Sequence, residues 1–89
     1  MQKVYIVVVT YNAKHWLPFF GESLTTLPSG WKVIVIDNAS MDATCEVVEK
    51  NYPHFTLIKS AQNLGFGRAN NIGLSIALKE KAEHVFLLN

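Results

Sequence analysis

The sequence predicts an α/β fold: an open, parallel, four-stranded sheet with helices on both faces and strand order 3-2-1-4. Two observations predict it. Four short apolar runs, at 4–9, 31–36, 55–58 and 85–88, are rich in β-branched and aromatic residues. The first of them is unbroken, as suits a strand buried on both faces of a parallel sheet. Three stretches of helical character separate the runs. The resulting order, βαβαβαβ, calls for parallel strands joined by right-handed crossovers.

The first run ends at Thr10, Tyr11 and Asn12. Asn12 is the residue type that caps a helix, and the helix expected after it runs to about Thr26. Pro18 is tolerated if that helix begins near His15, because first-turn N–H groups have no partner within the helix. The breakers in 27–30 mark a turn. The second run ends at Asp37. Asn38, Ala39 and Ser40 then lead to a helix over 42–51, with Ser40 as its expected cap and Pro53 closing it. After the third run comes the best helix pattern of the chain, over 68–81. Its small and apolar residues fall at 69, 72, 73, 76 and 77, the spacing of a helix laid on a core. Gly73 on that stripe allows a close approach to the sheet, against a propensity cost of about 1 kcal/mol. Lys79 and Lys81 are placed in the last turn, where the helix dipole favours cations. Trp16, Phe19 and Phe20, at helical spacing, read as core.

Composition bounds the function. Eighty-nine residues make one small domain, 49% apolar and 17% charged, with a net charge of +1. That balance excludes disorder and offers no field to draw nucleic acid or an acidic membrane surface. No apolar stretch is long enough for a membrane span. The single cysteine, Cys45, has no partner for an internal disulfide and fits a reducing, cytoplasmic compartment, with the inner face of the membrane as the other location. No Cys/His spacing suggests zinc. His15, His54 and His84 read as structural or surface residues.

In open α/β sheets a ligand binds beyond the carboxyl ends of the strands, where the strand order reverses. With order 3-2-1-4 that point lies between strands one and four. The residues at the carboxyl ends are Thr10, Tyr11, Asn12, Asp37, Asn38 and Asn89, which suit a planar polar ligand. An aromatic face stacks on a nucleobase for about 1–3 kcal/mol, and a carboxylate accepts a pyrimidine N–H.

Four blocks carry a family resemblance: Val-Val-Val-Thr-Tyr-Asn at 7–12, Val-Ile-Val-Ile-Asp-Asn-Ala-Ser-Met-Asp at 33–42, Asn-Leu-Gly-Phe-Gly-Arg-Ala-Asn-Asn-Ile-Gly at 63–73, and Phe-Leu-Leu-Asn at 86–89. Together they resemble the N-terminal half of a family 2 glycosyltransferase with the Rossmann-like GT-A fold, and most of all its rhamnosyltransferase-like branch. The resemblance covers the whole chain. It implies a donor-nucleotide site formed by Thr10, Tyr11, Asn12, Asp37, Asn38, Gly65 and Arg68, with Ser40 and Asp42 shaping the loop beside it. It places Asn89 at the first position of the family's Asp-x-Asp metal motif. Asn offers a metal only a neutral carbonyl oxygen, and a divalent ion on a nucleotide diphosphate usually needs a carboxylate as well. The resemblance therefore implies Mg2+ or Mn2+ in a full-length enzyme and none bound by these residues alone.

The expected activity of that enzyme is transfer of a sugar from a UDP- or dTDP-sugar to an acceptor hydroxyl, with inversion. Its acceptor is expected to be a glycan or a lipid-linked molecule, in the synthesis of cell-surface polysaccharide. The base and acceptor site are expected from a C-terminal half, so the 89 residues read as an inactive fragment. Each site residue also has a plainer reading: Tyr11 packed on the first helix, Asp37 capping its loop, Asp42 opening a helix, Arg68 solvated. Two rival functions stand beside the transferase. One is a non-catalytic nucleotide-binding module. The other is a dinucleotide oxidoreductase built on Gly65 and Gly67, which meets Asn70 where its fingerprint wants a third small residue.

Overall fold

A computed structural model describes residues 3–88. Its elements are β1 (Val4–Thr10), α1 (Leu17–Leu24), β2 (Trp31–Asp37), α2 (Thr44–Asn51), β3 (Thr56–Lys59), α3 (Gly65–Lys79) and β4 (His84–Leu88). All strand pairs are parallel, in the order β3-β2-β1-β4. The expected topology is the observed one.

Alternation along β1 assigns the two faces. Ile6 and Val8 point to one side, where they join Val33 and Val35 against Leu17 and Leu24 of α1, Val48 of α2 and Tyr52 just after it. Tyr5, Val7 and Val9 point to the other, where they join Ile34 and Ile36 against Ala69 and Ala77 of α3. The two crossovers that step toward β3 therefore lie on one face. The long return to β4 lies on the other, as right-handed connections require when the direction of stepping reverses.

The helix starts differ from the sequence reading. Asn12 is not the cap of α1: it adopts a left-handed conformation, φ 50°, and its Oδ1 accepts the Met41 N–H at 2.8 Å. A turn intervenes, in which the N–H groups of Trp16 and Leu17 both donate to the Ala13 carbonyl. Pro18 does fall in the first turn of α1. Ser40 is not the cap of α2, because its hydroxyl is committed to Asp37. Asp42 serves that end instead, its Oδ1 accepting the Thr44 N–H at 2.9 Å.

Helix α3 begins three residues earlier than expected. Asn63 Oδ1 takes the Gly65 N–H at 2.8 Å and Asn38 Oδ1 takes the Leu64 N–H at 3.1 Å. The helix also ends earlier. Lys81 is left-handed, φ 63°, and the Lys81 and Ala82 N–H groups donate back to the carbonyls of Leu78 and Ala77. That is the pairing of a Schellman turn, with Lys81 in the place glycine usually takes.

Two further differences concern burial. Trp16 and Phe19, expected in the core, are exposed by 67% and 76%. The buried stripe of α1 is Leu17, Gly21 and Leu24, and these aromatics lie off it. At the open edge of the sheet, Phe86, Leu87 and Leu88 of β4 are about half exposed.

Candidate functional site

The parallel register sets Thr10 beside Asp37 at the carboxyl ends of β1 and β2. Both are buried, and the Thr10 hydroxyl donates to Asp37 Oδ1 at 2.7 Å. The same carboxylate accepts the Ser40 hydroxyl at 2.6 Å and, through Oδ2, the Ser40 N–H at 2.8 Å. Burial first, and then Asp37 as acceptor and as a charge, push the Cys45 thiol up to about 12. A ligand that touched Asp37 directly would have to share its carboxylate with these donors.

The two loops that follow these strands are laced together. The Asn12 N–H donates to Ser40 Oγ at 2.8 Å, the Ala13 N–H to Thr44 Oγ1 at 2.9 Å and the Lys14 N–H to Asp42 Oδ2 at 3.2 Å. In the opposite direction, Asn12 Oδ1 accepts the Met41 N–H. The second loop also has its left-handed residue, Ala39, φ 60°. Asn38, 2% exposed, fastens this pair to a third loop: its amide nitrogen donates to the Gly65 carbonyl at 3.2 Å and its oxygen accepts from Leu64. Thr10, Asp37, Asn38 and Gly65 thus belong to one hydrogen-bonded frame. Arg68 is exposed in the opening turn of α3, and its side chain makes no hydrogen bond or ion pair with another described residue.

An open pocket of about 340 Å³ lies beside this frame, at the β1/β4 switch point. Tyr11, 47% exposed, forms one wall. Trp16 and Phe20 of the α1 region, Phe66 at the start of α3 and Leu88 at the end of β4 complete it. The pocket is therefore aromatic on several sides, with the Thr10 end of β1 as its floor. Tyr11 is the expected aromatic. Trp16 and Phe20 were not legible as site residues, because aromatics at helical spacing carry the same signature whether they face a core or a cleft, and Phe66 was not because it lay ahead of the expected helix start. The signal available was their closeness in sequence to Thr10–Tyr11 and to Gly65–Gly67.

The described residues do not fit a divalent metal. They contain no group of three or more His, Cys, Asp or Glu side chains that could hold one. The two carboxylates at the rim, Asp37 and Asp42, are occupied by hydrogen bonds from the chain. Asn89, the expected first position of a metal motif, lies outside the described residues. Among the described residues no helix is long and apolar enough to cross a membrane.

Comparison with known proteins gives a consistent picture. Residues 5–88 match the family described as Glycosyl transferase family 2. The fold superposes on a crystal structure of S. aureus TarS 1-349 in complex with UDP, with a TM-score of 0.85 and 27% identity, over 98% of this chain and 27% of that one. It is also similar to the mannosyltransferase PcManGT from Pyrobaculum calidifontis in complex with GDP-Man and Mn2+. There the TM-score is 0.75 and the identity 26%, over 84% of this chain and 24% of that one. The chain spans about a quarter of the length of each of these solved structures. No curated protein matches it.

Proposed function

The chain belongs to glycosyl transferase family 2, and from that premise we propose that its β1/β4 rim binds the nucleotide of a sugar donor. The observation that carries the reading is the aromatic-walled pocket of about 340 Å³ at the switch point, with Tyr11 on its wall. A nucleobase is flat and apolar on its faces, and stacking on an aromatic ring suits it without demanding a particular base. The structural relatives bound to UDP and to GDP-mannose support a nucleoside diphosphate as the ligand class. Thr10, Asn12, Asp37 and Asn38 hold the loops around it, and Arg68, exposed at the start of α3, supplies a positive charge for the diphosphate.

In this reading the intact protein transfers the sugar to an acceptor hydroxyl on a glycan or lipid-linked molecule, as in cell-surface polysaccharide synthesis, in the cytoplasm. The acceptor oxygen forms a bond to the anomeric carbon from the face opposite the diphosphate. The bond to the diphosphate oxygen breaks, the anomeric centre inverts, and the hydroxyl proton passes to a base outside the described residues. The carboxylates for Mg2+ or Mn2+ likewise come from outside residues 3–88, so no step is assigned to an ion here. The family match runs against the dinucleotide alternative.

Calorimetry of the intact protein with UDP, dTDP and GDP in the presence of Mn2+ tests the proposal. One of these nucleotides is expected to bind, and NADH is not. Binding of NADH alone, or of no nucleotide, would overturn it.

A further inference from the structure

Tyr11 stands between two residues that are fixed from a different loop. On its N-terminal side Thr10 is tied to Asp37, and on its C-terminal side the Asn12 N–H is tied to Ser40 Oγ. The Ser40 hydroxyl in turn donates to Asp37. A closed hydrogen-bonded loop therefore runs Thr10–Asp37–Ser40–Asn12 and returns through the backbone of Tyr11. Asn12 adds a second fastening, its side chain accepting the Met41 N–H at 2.8 Å. Asn12 also takes a left-handed φ of 50°, which Asn, Asp and Gly adopt more readily than other residues. The Tyr11 ring, half exposed, makes no hydrogen bond to another described residue that would hold it. Its place on the pocket wall is set by its neighbours.

We infer that Asn12 is a positioning residue: by clasping the 39–42 loop it preorganises the Tyr11 ring to stack on the bound base. The inference rests on the nucleotide-binding reading above and deepens it. A left-handed residue carrying a side-chain acceptor keeps the turn after β1 in one arrangement. Without the acceptor, the 11–14 loop gains conformations in which Tyr11 leaves the pocket, and a ligand must then select the competent one. Asp supplies the same acceptor and tolerates the same φ, whereas Gly supplies only the φ.

The test is a double-mutant cycle on UDP and GDP affinity in the intact protein with Mn2+. Tyr11→Ala is expected to weaken the nucleotide that binds by about ten-fold or more. Asn12→Gly is expected to weaken it several-fold in the wild-type background and not at all in the Tyr11→Ala background, with Asn12→Asp retaining wild-type affinity. Equal effects of Asn12→Gly in both backgrounds, or no effect in either, would overturn the positioning role and leave the site standing. An unchanged affinity in Tyr11→Ala would overturn both. Should Asn12→Gly not fold, Ser40→Ala breaks the same hydrogen-bonded loop from its other side, and the same non-additivity is required of it.

Discussion

Gly73 of α3 lies flush against Val7 of β1, so close that a Cβ on Gly73 would come within 2.3 Å of Val7 Cγ1. The other Val7 side-chain atoms stand at 3.0 and 3.2 Å from the same point, so rotating the valine does not clear the space. The small-residue stripe of Ala69, Gly73 and Ala77 is what lets α3 lie on the sheet at this distance. Because α3 begins at Gly65 and carries Phe66, its seating on the sheet also places one wall of the pocket.

Gly73→Ala is therefore expected to destabilise the protein although alanine is the better helix former. Overpacking a core costs about 1–3 kcal/mol, against about 1 kcal/mol gained in propensity, which leaves a net loss of up to about 2 kcal/mol. Chemical denaturation measures it. Combining the change with Val7→Ala should cost less than the sum of the two, since the added methyl then has room. Strict additivity, or a gain from Gly73→Ala alone, would contradict the close packing.

Asp37 carries a different load. Three hydrogen bonds, from the Thr10 hydroxyl and from the hydroxyl and N–H of Ser40, end on one buried carboxylate. Asp37→Ala leaves those donors without their acceptor. A loss of about 2–4 kcal/mol in unfolding free energy is expected, at the scale of hydrogen bonds to a charged group. Nucleotide affinity should fall along with it, because the loops on either side of Tyr11 are released together. A variant as stable as the wild type would show that solvent replaces the carboxylate at little cost.

The sheet was legible in the sequence almost to the residue, and the helix starts were not. Strands announce themselves by local composition: β1, β2 and β4 each keep the expected apolar run and extend by one residue. Helix starts here are decided by partners distant in the chain. Asn12 was drawn away from capping by Met41, Ser40 by Asp37, and α3 gained a turn from Asn38, 26 positions before Leu64. No local pattern encodes such pairings. The site divides the same way. Thr10, Tyr11 and Asp37 stand at strand ends that composition reveals, while Trp16 and Phe66 reach the pocket through the placement of helices.

Trp16 separates stability from binding. It is 67% exposed, its ring lies 6.0 Å from that of Phe19, and it lines the pocket. Truncating so exposed a side chain should change stability by no more than about 0.5 kcal/mol. If the pocket holds the nucleotide, Trp16→Ala should still weaken UDP or GDP binding, by several-fold in calorimetry, with the melting temperature nearly unchanged. Wild-type affinity in this variant would place the ligand on the Tyr11 side of the cleft and away from α1.

Burial pushes the Asp42 carboxyl up, but it is outweighed by donors: the Thr44 hydroxyl and N–H, the Lys14 N–H, and the Lys14 charge together hold Asp42 below its ordinary value. A carboxyl with a folded-state pKa below its unfolded one binds protons more weakly when folded. Its contribution is fully present above the unfolded value, about 4, and drains away as the pH falls through that range toward the folded one. Asp42→Asn keeps an oxygen for Thr44 but has no proton to take up. The melting temperature of the wild type should consequently fall more steeply than that of Asp42→Asn as the pH drops below about 5, with the two curves converging at the acid end. Parallel curves across that interval would mean that the Asp42 carboxylate contributes nothing to clasping the two loops, and that the hydrogen bonds made by Asn12 and by the Ala13 N–H hold them instead.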